Sequence, residues 1–444
     1  MSVPTRARTP ARPRPVRAWR SALERLLVVA SIGVAGPSRP PGGDDLAHIL
    51  RAAKPGAERE LERGVAALLP AAIPDVLEVL ASGTVPDATP AARLTPADEL
   101  ALMRALASAR DATHAKLREL AGSGARVELR IACLRVLCET GGGEQLALAL
   151  HLAPATPDSK LVEPEVRGTL EEALARILHR EPQALATLEG LLPGAHPALL
   201  QPVLASIGRH PRASEALSTL LRTLGRVPEA DPLAMLEIQR FGEGVAYSVD
   251  ERLVARLRPY LWRQEANLFT PAVRTLGDWR DEPSVAEMIE LLDERSEPEQ
   301  ALLLQALRRV SKQRLPADYA AWRKWYDLEL DWWQRVAPVT LERVASRDPK
   351  VASPAIRSLA EHKLHRDELA AALLPSLERR EWEIVRMACA VLKHLESRVP
   401  LAHLVRCLEH ADAGVRKIAW KALCEITGAS LPMDPEAWND LLHE

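Results

Sequence analysis

Two groups of histidines come closest to a chemical site in this sequence. His403, Cys407 and His410 fall at i, i+4 and i+7 of one predicted helix, a spacing that can present nitrogen and sulfur ligands to zinc. Three ligands on one helix without a fourth are more typical of an ordinary helix flank. His362 and His365 lie one turn apart among acidic residues, but no nucleophile or oxyanion donor accompanies them. We therefore predict no metal site and no catalytic residue.

Sequence motifs of common enzyme classes are missing as well. The chain has no His-Glu-x-x-His, Gly-x-Ser-x-Gly, Gly-x-x-x-x-Gly-Lys-[Ser/Thr], Gly-x-Gly-x-x-Gly or Cys-x-x-Cys. The sequence thus predicts a protein that is not an enzyme and carries no cofactor.

Basic residues could instead contact a phosphate backbone. The densest cluster outside the N-terminus is Arg308, Arg309, Lys312 and Arg314, at the end of a predicted helix, where cations also favour the helix dipole. Seven of the 58 basic and one of the 60 acidic residues lie in residues 1–25, so the rest of the chain has 51 basic against 59 acidic side chains. A net acidic body argues against a nucleic-acid partner.

Aromatic side chains are concentrated in one segment. Six of the sixteen lie between residues 319 and 333, and five of them fall on or near one helical stripe: Trp322, Trp325, Tyr326, Trp332 and Trp333. One interpretation is that these rings fill the space between two halves of the fold. The other is that part of the stripe is exposed and anchors a protein partner, because tryptophan is enriched at interface hot spots.

A repeat of about 34 residues organises the helices that must position these groups. Apolar anchors recur at intervals of 31, 37, 33, 34, 35, 31, 52, 33 and 31 residues: Leu106, Leu137, Leu174, Ile207, Phe241, Leu276, Leu307, Leu359, Leu392 and Leu423. Positions four residues before the anchors are apolar except at Glu237, as expected of one buried helix face. Each interval has room for two helices, which predicts stacked helical hairpins.

One unit carries a family resemblance. It runs from Pro400 to Leu423, and its second helix opens with Asp412, Val415 and Arg416 in an Asp-x-x-Val-Arg-x-x-Ala-x-x-Ala-Leu pattern. This unit resembles the HEAT repeat family, and the chain resembles bacterial HEAT-repeat domain-containing proteins. The resemblance implies an all-α solenoid, a right-handed superhelix of about ten to eleven hairpins. It also implies a concave surface, lined by the second helices, that holds partners.

The irregular interval divides the chain. We expect an Arg-rich signal-like segment and Pro/Gly linker at 1–43, HEAT-like repeats at 44–306, a Trp-rich insert at 307–346, and C-terminal repeats with a helical cap at 347–444. The element Leu-Pro-x-Asp-x-x-x-Trp occurs twice, from Leu315 to Trp322 and from Leu431 to Trp438. We interpret both copies as structural, with proline ending one helix and aspartate capping the next.

The N-terminus predicts export. Seven arginines precede the apolar run from Leu26 to Gly36, with small residues at its end, as in a secretory signal. The run is too short for a permanent transmembrane anchor. Five cysteines in apolar helical surroundings suggest buried free thiols, which favour the alternative of a cytoplasmic protein.

Together these features predict a non-catalytic scaffold, periplasmic or secreted, that binds a protein or an extended peptide along a concave helical surface. The alternatives are a nucleic-acid-binding solenoid and, less favoured, an enzyme built on a HEAT-like frame.

Overall fold

The computed structural model describes residues 43–443 except 54–55, 87–91, 157 and 160, and this part of the chain is helical. Its only other regular element is one isolated β-bridge between Thr84 and Arg93. The signal-like segment lies outside the described residues. No helix in the described ranges is both long and apolar enough to cross a bilayer.

The helices form two layers that run along the molecule, because each long helix packs against the next long helix and against the shorter helices beside it. The layer that carries the repeat anchors, here the anchor layer, contains α4 Pro96–Ser108, α6 Val127–Thr140, α8 Pro164–Arg180, α10 Leu200–Gly208, α12 Asp231–Ile238, α15 Ala266–Asp278, α17 Glu297–Ser311, α20 Pro349–Ser358, α22 Trp382–Leu395 and α24 Ala413–Thr427. The second layer contains α5 Arg110–Leu120, α7 Leu146–Leu152, α9 Leu185–Leu191, α11 Ala213–Thr223, α13 Glu243–Ala246, α14 Glu251–Val254, α16 Val285–Glu290, α18 Tyr319–Asp331, α21 Arg366–Leu377, α23 Leu401–Cys407 and α25 Pro435–His443. Three helices begin the stack, α1 Gly43–Ala52, α2 Glu58–Leu68 and α3 Ile73–Ser82, and α19 Ala337–Val344 follows α18.

Burial follows the sequence register. Nine of the ten anchors have no exposed side-chain surface, and only Phe241 is partly exposed. Stacking therefore buries the apolar face that a single hairpin leaves open. The predicted all-α solenoid of stacked helical hairpins is confirmed.

Local capping explains the unit that resembles HEAT repeats. The Asp412 carboxylate accepts a hydrogen bond from the Val415 amide at 2.9 Å, which caps α24. The Arg416 guanidinium donates to the carbonyl oxygens of His410 and Ala411, both at 2.8 Å, and so fixes the turn before the helix.

The apolar interior consists of two separate clusters. The first core extends from α1 to Trp322 and also includes Leu364, and the second extends from Val344 to Trp438. We call the two bodies the first stack and the second stack. They are joined by one continuous helical segment in which a five-residue π-helix, Trp332–Val336, connects α18 to α19.

The duplicated element closes both cores in the same way. Trp322 and Trp438 are both fully buried. Each indole N–H donates to the carbonyl of the proline six residues earlier, at 3.0 Å to Pro316 and 2.7 Å to Pro432. Asp318 accepts from two amides at the start of α18, as a helix cap does. The structural interpretation of this element is confirmed.

Candidate functional site

The predicted aromatic stripe lies where the two stacks meet, and its members divide between the two cores. Trp322 is buried in the first core, with the Trp325 ring edge-on at 5.8 Å, and Tyr326 packs against the same core. Trp332 and Trp333 pack against the second core. Trp322 is thus a core residue, whereas the other four keep part of their surface exposed.

Two histidines stack on the second pair of tryptophans. The His362 ring lies 3.3 Å from the Trp332 ring, centroid to centroid, and the His365 ring lies 3.9 Å from Trp333, both nearly parallel. The His362 Nδ1 is also 3.2 Å from a carboxylate oxygen of Glu329. Burial lowers the pKa of His365, although the nearby Glu368 carboxylate works in the opposite direction. The histidine pair of the sequence is therefore held by aromatic packing.

Residues 362–367 of the second stack, here the joint loop, contact the first stack, and we call the whole set of contacts between the two stacks, with the helical segment that joins them, the joint. Leu364 is buried in the first core, although it belongs to the second stack. The Glu282 carboxylate of the first stack accepts hydrogen bonds from the amides of His365 at 2.7 Å and Arg366 at 3.3 Å. The Tyr247 hydroxyl donates to the Asp367 carboxylate at 3.3 Å.

Arg366 is the most buried charge of the joint. Its guanidinium lies 3.0 Å from the Glu243 carboxylate and 3.3 Å from the Glu282 carboxylate. It also donates to the carbonyl of Arg280 at 3.4 Å and lies 5.7 Å from the centre of the Tyr247 ring. A buried guanidinium is tolerated only when its donors are satisfied, and here both acceptor carboxylates come from the other stack.

A second ion-pair group extends the joint. Arg280 lies 3.5 Å from Glu243 and also pairs with Glu396, and Lys312 reaches Glu396 at 3.2 Å. Burial works to raise the pKa of Glu396, but the two cations outweigh it and the pKa is lowered. Burial raises the pKa of Glu282 to about 7 despite the neighbouring Arg366.

Left-handed residues are concentrated at the same place. Four residues other than glycine have positive φ in the described part of the chain: Arg280 at 54°, Lys312 at 57°, His365 at 57° and Glu396 at 55°. All four belong to the joint. At Lys312 and Glu396 this is the conformation of a helix C-cap, and each amide donates to a carbonyl of its own helix, at 3.0 Å to Arg308 and 3.1 Å to Leu392. Their clustering makes the joint the candidate functional region of this fold.

The joint helices also expose aliphatic side chains that the sequence interpretation missed. Leu328 is 61% exposed, Val336 46% and Val339 48%, all on the segment formed by α18, the π-helix and α19. A shallow depression of about 440 Å³ lies beside Leu328. At 100° per residue these three positions fall within 80° of one another, so a helical projection of the sequence could have found them.

The other candidate groups of the sequence have ordinary surroundings. Arg309 pairs with Asp278, Arg308 donates to the Leu315 carbonyl at 3.3 Å, and Lys312 belongs to the joint. His403, Cys407 and His410 line a cavity of about 210 Å³ between the helices of the second stack. Among the described residues, no three His, Cys, Asp or Glu side chains are placed to hold a metal ion.

Comparison with known proteins adds distant likenesses only. No protein-family model and no curated protein matches the chain. Among solved structures, an engineered protein matches 88% of this chain and 100% of its own, with 17% identity and a TM-score of 0.26. A mutant of Kap121p matches 86% of this chain and 45% of its own, with 12% identity and a TM-score of 0.34. The chain thus spans less than half of the Kap121p chain, and the fold assignment rests on the helix packing described above.

Proposed function

We propose that this protein is a non-catalytic scaffold that binds an apolar-faced segment of another protein across the helix joining its two stacks. The observation that carries this proposal is the exposed aliphatic group Leu328, Val336 and Val339, on the same segment as the half-buried Trp332 and Trp333. Burying one such aliphatic side chain contributes about 1.5–3 kcal/mol, so a few together support a specific contact.

Charges around this group favour a protein over a polyanion. Arg323 pairs with Asp327 at 3.1 Å, and Arg335 pairs with Asp331 at 2.9 Å, both within the helix. Because these cations are already neutralised by neighbouring carboxylates, the surface offers apolar contact with little net charge. That chemistry suits leucine-like side chains of a partner segment. The same contact would extend to the aromatic residues predicted to bind a partner, which are Trp325, Tyr326, Trp332 and Trp333.

The alternative of a nucleic-acid-binding solenoid is less favoured by the anchor layer. Arginines there reach back to a carboxylate of the preceding unit, and these pairs include Arg135–Glu99 at 3.5 Å, Arg176–Glu139 at 2.7 Å and Arg209–Glu171 at 2.6 Å. Phosphate binding would have to compete with these carboxylates, on a body that is net acidic. The alternative of an enzyme on a HEAT-like frame is supported only by histidines that stack on tryptophans.

Affinity capture with the full chain as bait tests the proposal. The variant Leu328→Asp/Val339→Asp places charges in the exposed group, and Leu236→Asp, at a residue 54% exposed on α12, is the matched control. We expect a protein captured by the wild type and the control to be reduced at least tenfold by the double variant, the factor that corresponds to 1.4 kcal/mol. Equal capture by all three proteins would refute this site, and capture of nucleic acid that weakens steeply with added salt would favour the alternative.

We also propose that the chain is exported, which is supported by the arginines of residues 1–25 and the apolar run that follows. N-terminal sequencing of the mature protein should then begin near Gly36. Recovery of intact Met1 would favour the cytoplasmic alternative.

A further inference from the structure

We propose that the joint is a releasable contact: the second stack can separate from the first by bending at the π-helix while both stacks remain folded. The proposal concerns the conformation of this chain and does not depend on which partner the scaffold binds.

The separation of the two cores is the first argument. Among the described residues that follow Trp322 in the sequence, Leu364 is the only one that is buried in the first core. The second core has its own closing tryptophan, Trp438, and its own helix-to-helix packing from α19 to α25. Each stack thus has the apolar interior that it needs to stay folded when the other moves away.

The chemistry of the contact is the second argument. Apart from Leu364, the contacts across the joint described above are polar: Arg366 with Glu243 and Glu282, Glu396 with Arg280 and Lys312, and Tyr247 with Asp367. Water can replace such partners when the surfaces part, whereas it cannot replace apolar burial. Polar interfaces of this kind between domains are the ones that open and close.

The local origin of two left-handed residues is the third argument. Lys312 and Glu396 are the left-handed C-caps of α17 and α22, and their amides donate to carbonyls of their own helices, at 3.0 Å to Arg308 and 3.1 Å to Leu392. Because these bonds lie within each stack, the helix ends at the contact keep their shape whether or not the joint is closed, and release requires no unfolding of either surface.

The joining segment supplies the place to bend. Residues 319–344 are helical throughout, and the π-helix Trp332–Val336 begins where packing changes from the first core, at Trp325 and Tyr326, to the second core, at Trp332 and Trp333. A π-helix has wider hydrogen-bond spacing than the α-helices beside it and is a recognised site of helix bending.

Amide hydrogen exchange on the full wild-type chain tests release directly. The amides of His365 and Arg366 are protected by the Glu282 carboxylate of the other stack. We expect these two amides to exchange at least tenfold faster than the interior amides of α15 and α22, because opening of the joint does not require unfolding. Exchange at the same rate as those helices would overturn the proposal.

Solution scattering on variants gives an independent result. Leu364→Asp/Arg366→Ala removes the apolar and the ionic contact together, and Glu396→Arg sets a cation against Arg280 and Lys312. Arg406→Ala, which removes an exposed pair with Glu378 at 3.9 Å inside the second stack, is the control.

We expect a longer maximum dimension for the two joint variants, with unchanged helical circular dichroism, and wild-type dimensions for the control. Unchanged dimensions in the joint variants, or a loss of helix content in them, would each refute a contact that releases without unfolding.

Discussion

Trp438→Ala should destabilise the second stack more than an alanine substitution of any exposed tryptophan in the same stack. Trp438 lies in the second core with no exposed surface, and its indole N–H donates to the Pro432 carbonyl at 2.7 Å. Removing a buried tryptophan side chain costs about 3–5 kcal/mol through lost burial and the cavity left behind. The Pro432 carbonyl also loses its donor, which adds about 1 kcal/mol. We therefore expect a loss of about 4–6 kcal/mol.

Two further variants separate the contributions. Trp438→Phe keeps an aromatic ring but not the hydrogen bond, so it should cost about 1–3 kcal/mol. Trp382→Ala is the control, because Trp382 is 38% exposed in the same stack and its main contact is a cation–π interaction with Arg386. It should cost about 1 kcal/mol or less.

Urea denaturation followed by far-ultraviolet circular dichroism measures all three. A chain with two cores is expected to show two transitions, and the one that contains the second stack should move. If Trp438→Ala shifts that transition no further than Trp382→Ala does, then the duplicated element does not close the core and the reasoning fails.

Three other changes have expected outcomes. Gly277→Ala should destabilise by about 1–3 kcal/mol in thermal melting, because a new Cβ would lie 2.9 Å from a backbone atom of α17, whereas Gly168→Ala, with open space around it, should stabilise by about 0.5–1 kcal/mol. Burial raises the pKa of Glu282 to about 7, above its unfolded value, so its contribution to stability is present in acid and is lost as pH rises through 7. In Glu282→Gln, the denaturation midpoint measured between pH 5 and 8 should therefore no longer fall for this reason as the pH rises. Because the pKa of His365 is lowered, the stability of this variant should instead rise with pH up to about 6.5. Thiol titration of the native protein should detect Cys424 first, because the other four cysteines are buried. The full count of five thiols should be reached only after unfolding.

Local patterns in the sequence were sufficient for the fold. The spacing of apolar residues identified the helices of the anchor layer, because residues four apart share a helix face. The buried anchors from Leu106 to Leu423 follow that spacing. The duplicated element was found by equal offsets from Leu315 and Leu431. Its structural role followed from proline and aspartate chemistry at a helix start, and both indoles form the same bond.

The contacts of the joint could not be predicted, for two physical reasons. Its contacts connect residues far apart in sequence, such as Glu243 with Arg366, and no helical period relates such positions. Its left-handed residues are arginine, lysine, histidine and glutamate, which carry no turn signal of the kind that glycine gives. The exposed aliphatic positions, by contrast, share one stripe of an ideal helix and could have been found from the sequence.

The joint also changes how perturbations spread through this solenoid. In a simple stack each unit contacts only its neighbours, and stability is a sum of local terms. Here Glu243 and Arg366 belong to units that are not neighbours, so substitutions at these positions should be coupled energetically. Within the exposed group, Leu328 precedes the π-helix, Val336 is its last residue and Val339 follows it. A partner that contacts all three at once would hold the segment in one shape and would favour whichever joint state has that shape. Linkage makes the effect reciprocal: opening the joint must then change the affinity for that partner by the same factor by which the partner shifts the joint.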